Sequence, residues 1–123
     1  MIVLDLSRDL WWTSNDLVKM HRMAVAKKTA AVRALAAAVA RQSGQDPMER
    51  CRLVVTASIP TAGRFDPANI AGTVSKHAID GFTDAGLWVD DDSEHILAVT
   101  FQRGPKTSVK GTYRLTFEFE EVA

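Results

Sequence analysis

Five aspartates and one lysine in the middle of this chain have the types and spacing to handle a phosphate ester. Asp66 comes first, in Asp66-Pro67-Ala68-Asn69. Lys76 and Asp80 follow, and then the consecutive acids Asp90, Asp91 and Asp92. Carboxylates are hard oxygen ligands, and Mg²⁺ is usually held by one or two of them, with water and phosphate completing its shell. Such a metal neutralises phosphate charge and supplies a nucleophilic water at neutral pH. A lysine beside it can stabilise charge on the phosphate. Each residue also has a plainer role. Asp66 before Pro67 is a strong helix start. The triple aspartate suits a solvated turn. Lys76 and Asp80 form an i,i+4 pair worth only a few tenths of a kcal/mol. His77 and His95 lack the neighbours a zinc site needs. There is no glycine-rich phosphate loop and no Ser-His-Asp arrangement.

The elements that must carry these groups follow from periodicity. Residues 2–6 read as a short strand, and Trp11 and Trp12 fall in a loop. Thr13 to Asp16 supply N-cap residues for a long helix that runs to about Gln42 and stops at Ser43-Gly44. Val18, Val25, Val32 and Val39 recur every seventh residue along it, giving an apolar stripe for core packing or a dimer seam. His21 and Lys28 project into that stripe, so part of this face could border the active site or DNA. Residues 52–59 alternate as a second strand. A second helix is expected from Asp66 to Gly86, with Ile70, Val74, His77 or Ala78, Gly81 and Ala85 facing inward. Asn69, Thr73, Lys76 and Asp80 form its polar stripe. At roughly 28 Å, that helix keeps Asp66 far from Asp90–Asp92 unless the chain folds back along the sheet. Strands over about 94–102 and from Tyr113 to Glu120 complete the pattern, joined by a loop carrying Arg103, Lys106 and Lys110. The order β-α-β-α-β-β predicts one α/β (α+β) domain over residues 1–123, with a mixed sheet of about four strands and two main helices.

Composition bounds the function classes. At 123 residues, with 46% apolar and 24% charged residues, the chain can bury a core of its own. No stretch is apolar enough to span a membrane. The start lacks a signal-peptide layout, and a single cysteine, Cys51, fits a reducing compartment. The net charge is zero, but residues 1–65 carry ten basic and five acidic groups, and residues 66–123 carry five and ten. A basic element beside an acidic metal site would average in this way.

Taken together, these residues resemble the RusA family of Holliday-junction resolvases, small and often phage-derived endonucleases. The likeness is carried by Asp66-Pro67-Ala68-Asn69-Ile70, by Lys76 and Asp80 four apart, by Asp84-Ala85-Gly86-Leu87 and by Asp90-Asp91-Asp92-Ser93. Asn15, His21 and the basic residues that follow resemble the family's opening helix. Two departures stand out: Ala68 occupies a place where the family commonly has a second acid, and about three extra residues separate Asn69 from Lys76. The resemblance implies a homodimer that nicks four-way DNA junctions in pairs, with Mg²⁺ as cofactor and Mn²⁺ as a possible substitute. Asp66, Asp90, Asp91 and Asp92 would be metal ligands. Lys76 would act at the phosphate, with Asp66, Asp90 and Asp91 completing the catalytic set. Asn15, Lys19, His21, Arg22, Lys27, Lys28, Asn69, Arg103, Lys106 and Lys110 would contact DNA. A cytoplasmic setting in a bacterial host is expected. The alternative is a catalytically weakened junction-binding dimer, in which Ala68 marks lost metal binding.

Overall fold

In the computed structural model, which describes all of residues 1–123, a four-stranded mixed sheet is covered on one face by helices. The strands are β1 (Ile2–Leu6), β2 (Cys51–Ser58), β3 (Ile96–Arg103) and β4 (Tyr113–Glu121). Their spatial order is β1-β4-β2-β3. β4 is antiparallel to both neighbours, with Leu4 opposite Leu115 and Ala57 opposite Leu115 on the other side. β2 and β3 run parallel, with α3 (Val74–Asp84) as their crossover. The period-2 alternation explains the two faces. Ile2, Leu4, Leu53, Val55, Leu115 and Phe117 are buried beneath the helices. Residues between them, such as Asp5 and Arg114, face solvent and pair at 2.6 Å.

The last two strands are therefore not a hairpin. The loop between them crosses the end of β2: Gly104 N–H donates to Ala57 C=O at 2.9 Å, and Thr107 N–H donates to Ile59 C=O at 3.0 Å. A Cβ on Gly104 would lie 2.6 Å from Ser58 Oγ and 2.7 Å from Thr56 Cγ2, so only glycine fits this close passage.

Both expected long helices are broken. The first divides into a single turn, α1 (Ser14–Leu17), and α2 (Arg22–Ser43). Thr13 and Asp16 form a reciprocal capping box on α1. His21 then caps α2, its Nδ1 accepting from Met23 N–H at 3.1 Å. His21 thus stands outside the apolar stripe, and a local side-chain cap has replaced continuous helix. Val18, outside α2, is 86% exposed, whereas Val32 is fully buried, so the valine heptad is not one continuous seam. The second helix divides as well. Asp66 caps a 3₁₀ turn over Pro67–Ile70, and α3 starts at Val74. Thr73, expected on the polar stripe, is instead buried, and its hydroxyl donates to Trp12 C=O at 2.7 Å.

α2 and α3 meet through small residues. A Cβ on Gly81 would come within 2.3 Å of Arg33 O and 2.8 Å of Ala36 Cβ. This close approach sets Arg33 against the start of the next turn of α3. Trp11 and Trp12, placed in a loop by the sequence, have their rings in the core. Phe82, Phe117 and Phe119 pack edge to face beneath α3, with Phe82 and Phe117 centroids 4.8 Å apart. No helix is long and apolar enough to cross a membrane.

Candidate active site

α3 presents Lys76, His77 and Asp80 along the border of its buried face. Val74, Ala78, Ile79 and Phe82 anchor the helix, so the three polar side chains are fixed in rotation. Lys76 Nζ lies 3.2 Å from Asp80 Oδ2, and His77 Nδ1 lies 3.5 Å from the same oxygen. Asp80 is the least exposed of these acids, with its side chain 16% accessible. The His77 ring stacks on Trp12 at 5.9 Å between centroids.

The chain then folds back along α3. Gly86 takes a left-handed conformation (φ 84°). Leu87 and Trp88 are buried, and Trp88 Nε1 donates to Thr83 Oγ1 at 2.6 Å. This return brings the triple aspartate to Asp80, in the middle of the helix, rather than to Asp66 at its head. Each member of the triple has a different job. Asp90 Oδ1 accepts from Asp91 N–H at 2.8 Å. Asp92 Oδ1 accepts from Glu94 and His95 N–H and lies 2.6 Å from His95 Nδ1. Asp91 is left facing Asp80, near enough for each carboxyl group to shift the protonation of the other.

The electrostatics follow from that meeting. Burial pushes the Asp91 carboxyl up, and the neighbouring Asp80 and Asp90 carboxyl groups push it further. Burial also works to raise Asp80, but the bond from Lys76, the neighbouring Asp91 and the Lys76 and Arg33 charges outweigh it and hold Asp80 below the usual range. Opposite shifts on two neighbouring acids are the pattern expected when like charges crowd together. His77 is lowered by burial and then by the Lys76 charge, which keeps it neutral near pH 7. Arg33 forms a bidentate pair with Asp84 at 2.6 and 2.8 Å and adds positive charge near Asp80 and Asp91. His95 holds the Asp92 carboxyl low.

Lys76 and Asp91 open onto a cleft of about 390 Å³, shared with Ser93 and lined otherwise by Ala71, Ile79, Ile96, Val99 and Phe101. Asp66 stands in a different hollow, of about 570 Å³, with Thr13, Asn15, Arg64, Phe65 and Asn69. Its Oδ1 accepts from Ala68 N–H at 3.0 Å. Asp66, Asp90, Asp91 and Asp92 are thus not gathered into one cluster, and no three His, Cys, Asp or Glu side chains group in a way that could hold a metal. The physical reason is local: Asp66 and Asp92 direct their oxygens at nearby backbone N–H groups. Asp80, outside the expected ligand set, is the acid that Asp91 meets. Its signal in the sequence was the spacing from Lys76 together with the short run to Gly86.

The expected DNA contacts spread over two areas. Lys19 and Lys28 line a hollow of about 290 Å³ with Arg8, Trp11, Trp12, Asp16 and Met20. Lys28 Nζ donates to Asp9 C=O, so this lysine reaches across to the first loop rather than into the stripe. Arg22 and Lys27 are exposed on α2, and His21 is its cap. Arg103 is anchored, donating to Gly63 C=O at 2.7 Å and to Thr61 C=O at 3.2 Å. Lys106 and Lys110 are exposed on the crossing loop. Asn69 C=O accepts from Ser14 Oγ at 3.1 Å, which ties the second hollow together. Compared with known proteins, the chain matches no protein-family model and no curated protein sequence.

Proposed function

We propose that this protein is a Mg²⁺-dependent structure-specific DNA endonuclease that resolves four-way junctions. The observation that carries the reading is the meeting of Asp80 and Asp91 beside Lys76 at the mouth of a cleft. Two neighbouring carboxylates form a hard-oxygen pair with surplus negative charge, which fits the minimum protein contribution to a Mg²⁺ site. Asp80 and Asp91 would hold the ion, and Asp90 would orient Asp91 through its N–H. When bound, Mg²⁺ would supply charge neutralisation at the phosphate and an acidified water. Lys76, freed from Asp80, would bind a non-bridging phosphate oxygen. Arg33 would limit the repulsion between the two acids, and neutral His77 on Trp12 would fix Asp80. The basic residues Lys19, Arg22 and Lys27 on one side, and Lys106 and Lys110 on the other, supply phosphate contacts that would make binding fall steeply with salt.

The reading joins this geometry to the resemblance of the Lys76-to-Asp92 segment to the RusA family. Asp66 changes role within it, from expected ligand to cap of the turn that leads into α3. A second reading has one observation in its favour. No group of three His, Cys, Asp or Glu side chains is placed to hold a metal, as a junction-binding protein without strong metal affinity would have it. Incubation with a synthetic four-way junction and with linear duplex, with and without Mg²⁺, separates the two. Paired nicks confined to the junction and lost in Asp91→Asn support the nuclease. Tight junction binding without nicking in Mg²⁺ or Mn²⁺ supports the second reading, and equal cutting of linear duplex sinks junction specificity.

A further inference from the structure

The Lys76–Asp91 cleft is more apolar than a phosphate needs. A phosphodiester would occupy its polar corner, where Lys76, Asp91 and Ser93 stand. The rest of the wall is Ala71, Ile79, Ile96, Val99 and Phe101. By contrast, the hollow at Asp66 has Phe65 as its one apolar lining residue. Ile79 and Ile96 are buried and form the floor, and Val99, 36% exposed, stands at the rim. The wall is firmly held. Ile79 belongs to α3, and β3 pairs with β2 so that Val99 and Phe101 stand opposite Leu53 and Val55. Strand alternation puts Val99 and Phe101 on the helix-covered face, at an edge strand that the helices only partly cover.

In duplex DNA the phosphates face outward and the bases are stacked inside. A strand lying against Lys76 therefore brings no flat apolar surface to this wall unless one nucleotide is unstacked. We propose that the cleft takes a single nucleobase, turned out of the stack beside the phosphate held at Lys76. Its volume of about 390 Å³ lies within the range of small-ligand sites. The base would lie against Phe101 and Val99, as bases lie on aromatic platforms in single-strand binding sites. The Ser93 hydroxyl, which can donate and accept, would meet its polar edge. A wall with so few hydrogen-bonding groups tolerates any base, so what it selects is a strand free to release one. Turning a base out costs least where pairing or stacking is already interrupted. The cleft would thus prefer a branch point to linear duplex without reading sequence. That the strand is branched DNA rests on the function proposed above, whereas the base site stands on the lining of the cleft.

Fluorescence of 2-aminopurine, which brightens when the base leaves a stack, tests the site. The probe is placed at the branch point of a four-way junction, in linear duplex and in a short single strand, with Ca²⁺ in place of Mg²⁺ to withhold cleavage. Binding of the whole chain should brighten the junction and the single strand several-fold and leave the duplex dark. Val99→Trp fills the cleft from an exposed position and should abolish the brightening. Phe101→Ala should weaken junction binding about tenfold with its salt slope unchanged, whereas Lys76→Ala should lower that slope by about one. Circular dichroism checks that the variants are folded. A junction bound with its probe dark, or brightened equally by Val99→Trp, overturns the proposal. So does a Val99→Trp chain whose sedimentation changes while the brightening stays, because another copy then covers the cleft. Nicking in Mg²⁺ is scored separately. A brightened junction that stays uncut removes only the nuclease reading, and nicking with the probe dark removes only the base site. A chain that brightens the single strand but binds no junction keeps the base site alone, and one that binds none of these DNAs overturns both.

Discussion

Asp66 and Asp91 are both exposed aspartates at turns, yet they sit in opposite electrostatic situations. Asp66 gives its oxygen to the N–H of Ala68 at the head of a 3₁₀ turn. Asp91 faces another carboxyl group and is forced toward protonation. A satisfied acid contributes to folding, whereas a crowded one leaves charge for a ligand to neutralise. The same residue type is thus satisfied by the backbone at one end of the Asp66–Asp92 stretch and crowded against another acid at the other. The difference is set by where the chain returns along α3.

The largest expected contrast is catalytic. Asp91→Asn and Asp80→Asn should each lower Mg²⁺-dependent junction nicking by about 100-fold or more, while Asp66→Asn should stay within a few-fold. Single-turnover cleavage checks this, and an equal loss at Asp66 would return that residue to the metal site. Next is the helix crossing that positions Asp80. Gly81→Ala drives a Cβ onto Arg33 O, and overpacking of this kind costs about 1–3 kcal/mol. Urea denaturation reads that loss, and nicking should fall with it as Asp80 shifts.

The third expectation concerns pH. Asp91 holds its proton to higher pH than an ordinary aspartate, so Mg²⁺ must displace that proton in acid. Affinity should rise about tenfold per pH unit below the Asp91 titration and level off above it. Calorimetry should find this slope reduced in Asp91→Asn. The smallest effects have opposite signs. Asp66→Ala removes a cap and should destabilise by about 0.5–1 kcal/mol. Because the Asp91 pKa is raised on folding, this group opposes the fold as pH rises through its titration. Asp91→Asn should therefore be neutral or stabilising at pH 7, by about a few tenths of a kcal/mol. Thermal melts of the two variants check that sign.

Much of the fold was legible. The alternation in β2 and β4, the inward face of α3 and its stop at Gly86 follow from period and end signals, and the structure reproduces them. The breaks at His21 and near Gly72 were less legible, because each depends on a local bond or tertiary contact that no periodicity records. Thr73 shows the point: its spacing is that of a surface stripe, but Trp12 C=O draws its hydroxyl inward. The strand order was hidden for a related reason. Only the passage of Gly104 across β2, a matter of a missing Cβ, separates a crossover from a long hairpin loop. At the site, the acids themselves were visible, and what escaped was the partner each would choose. Asp92 turned to His95, Asp66 to its own turn, and Asp91 to a residue in the middle of a helix.

The place of β4 also governs how the molecule is assembled in time. β4 lies between β1 and β2, and β1 has no other strand partner. Ile2 must wait for Phe117 before its backbone is paired. As the chain leaves the ribosome, β2, α3 and β3 can associate first, while β1 stays unpaired until β4 emerges. Such long-range closure makes for slow folding. It also leaves apolar strand edges open in the interval, when a chaperone or a neighbouring nascent chain can reach them.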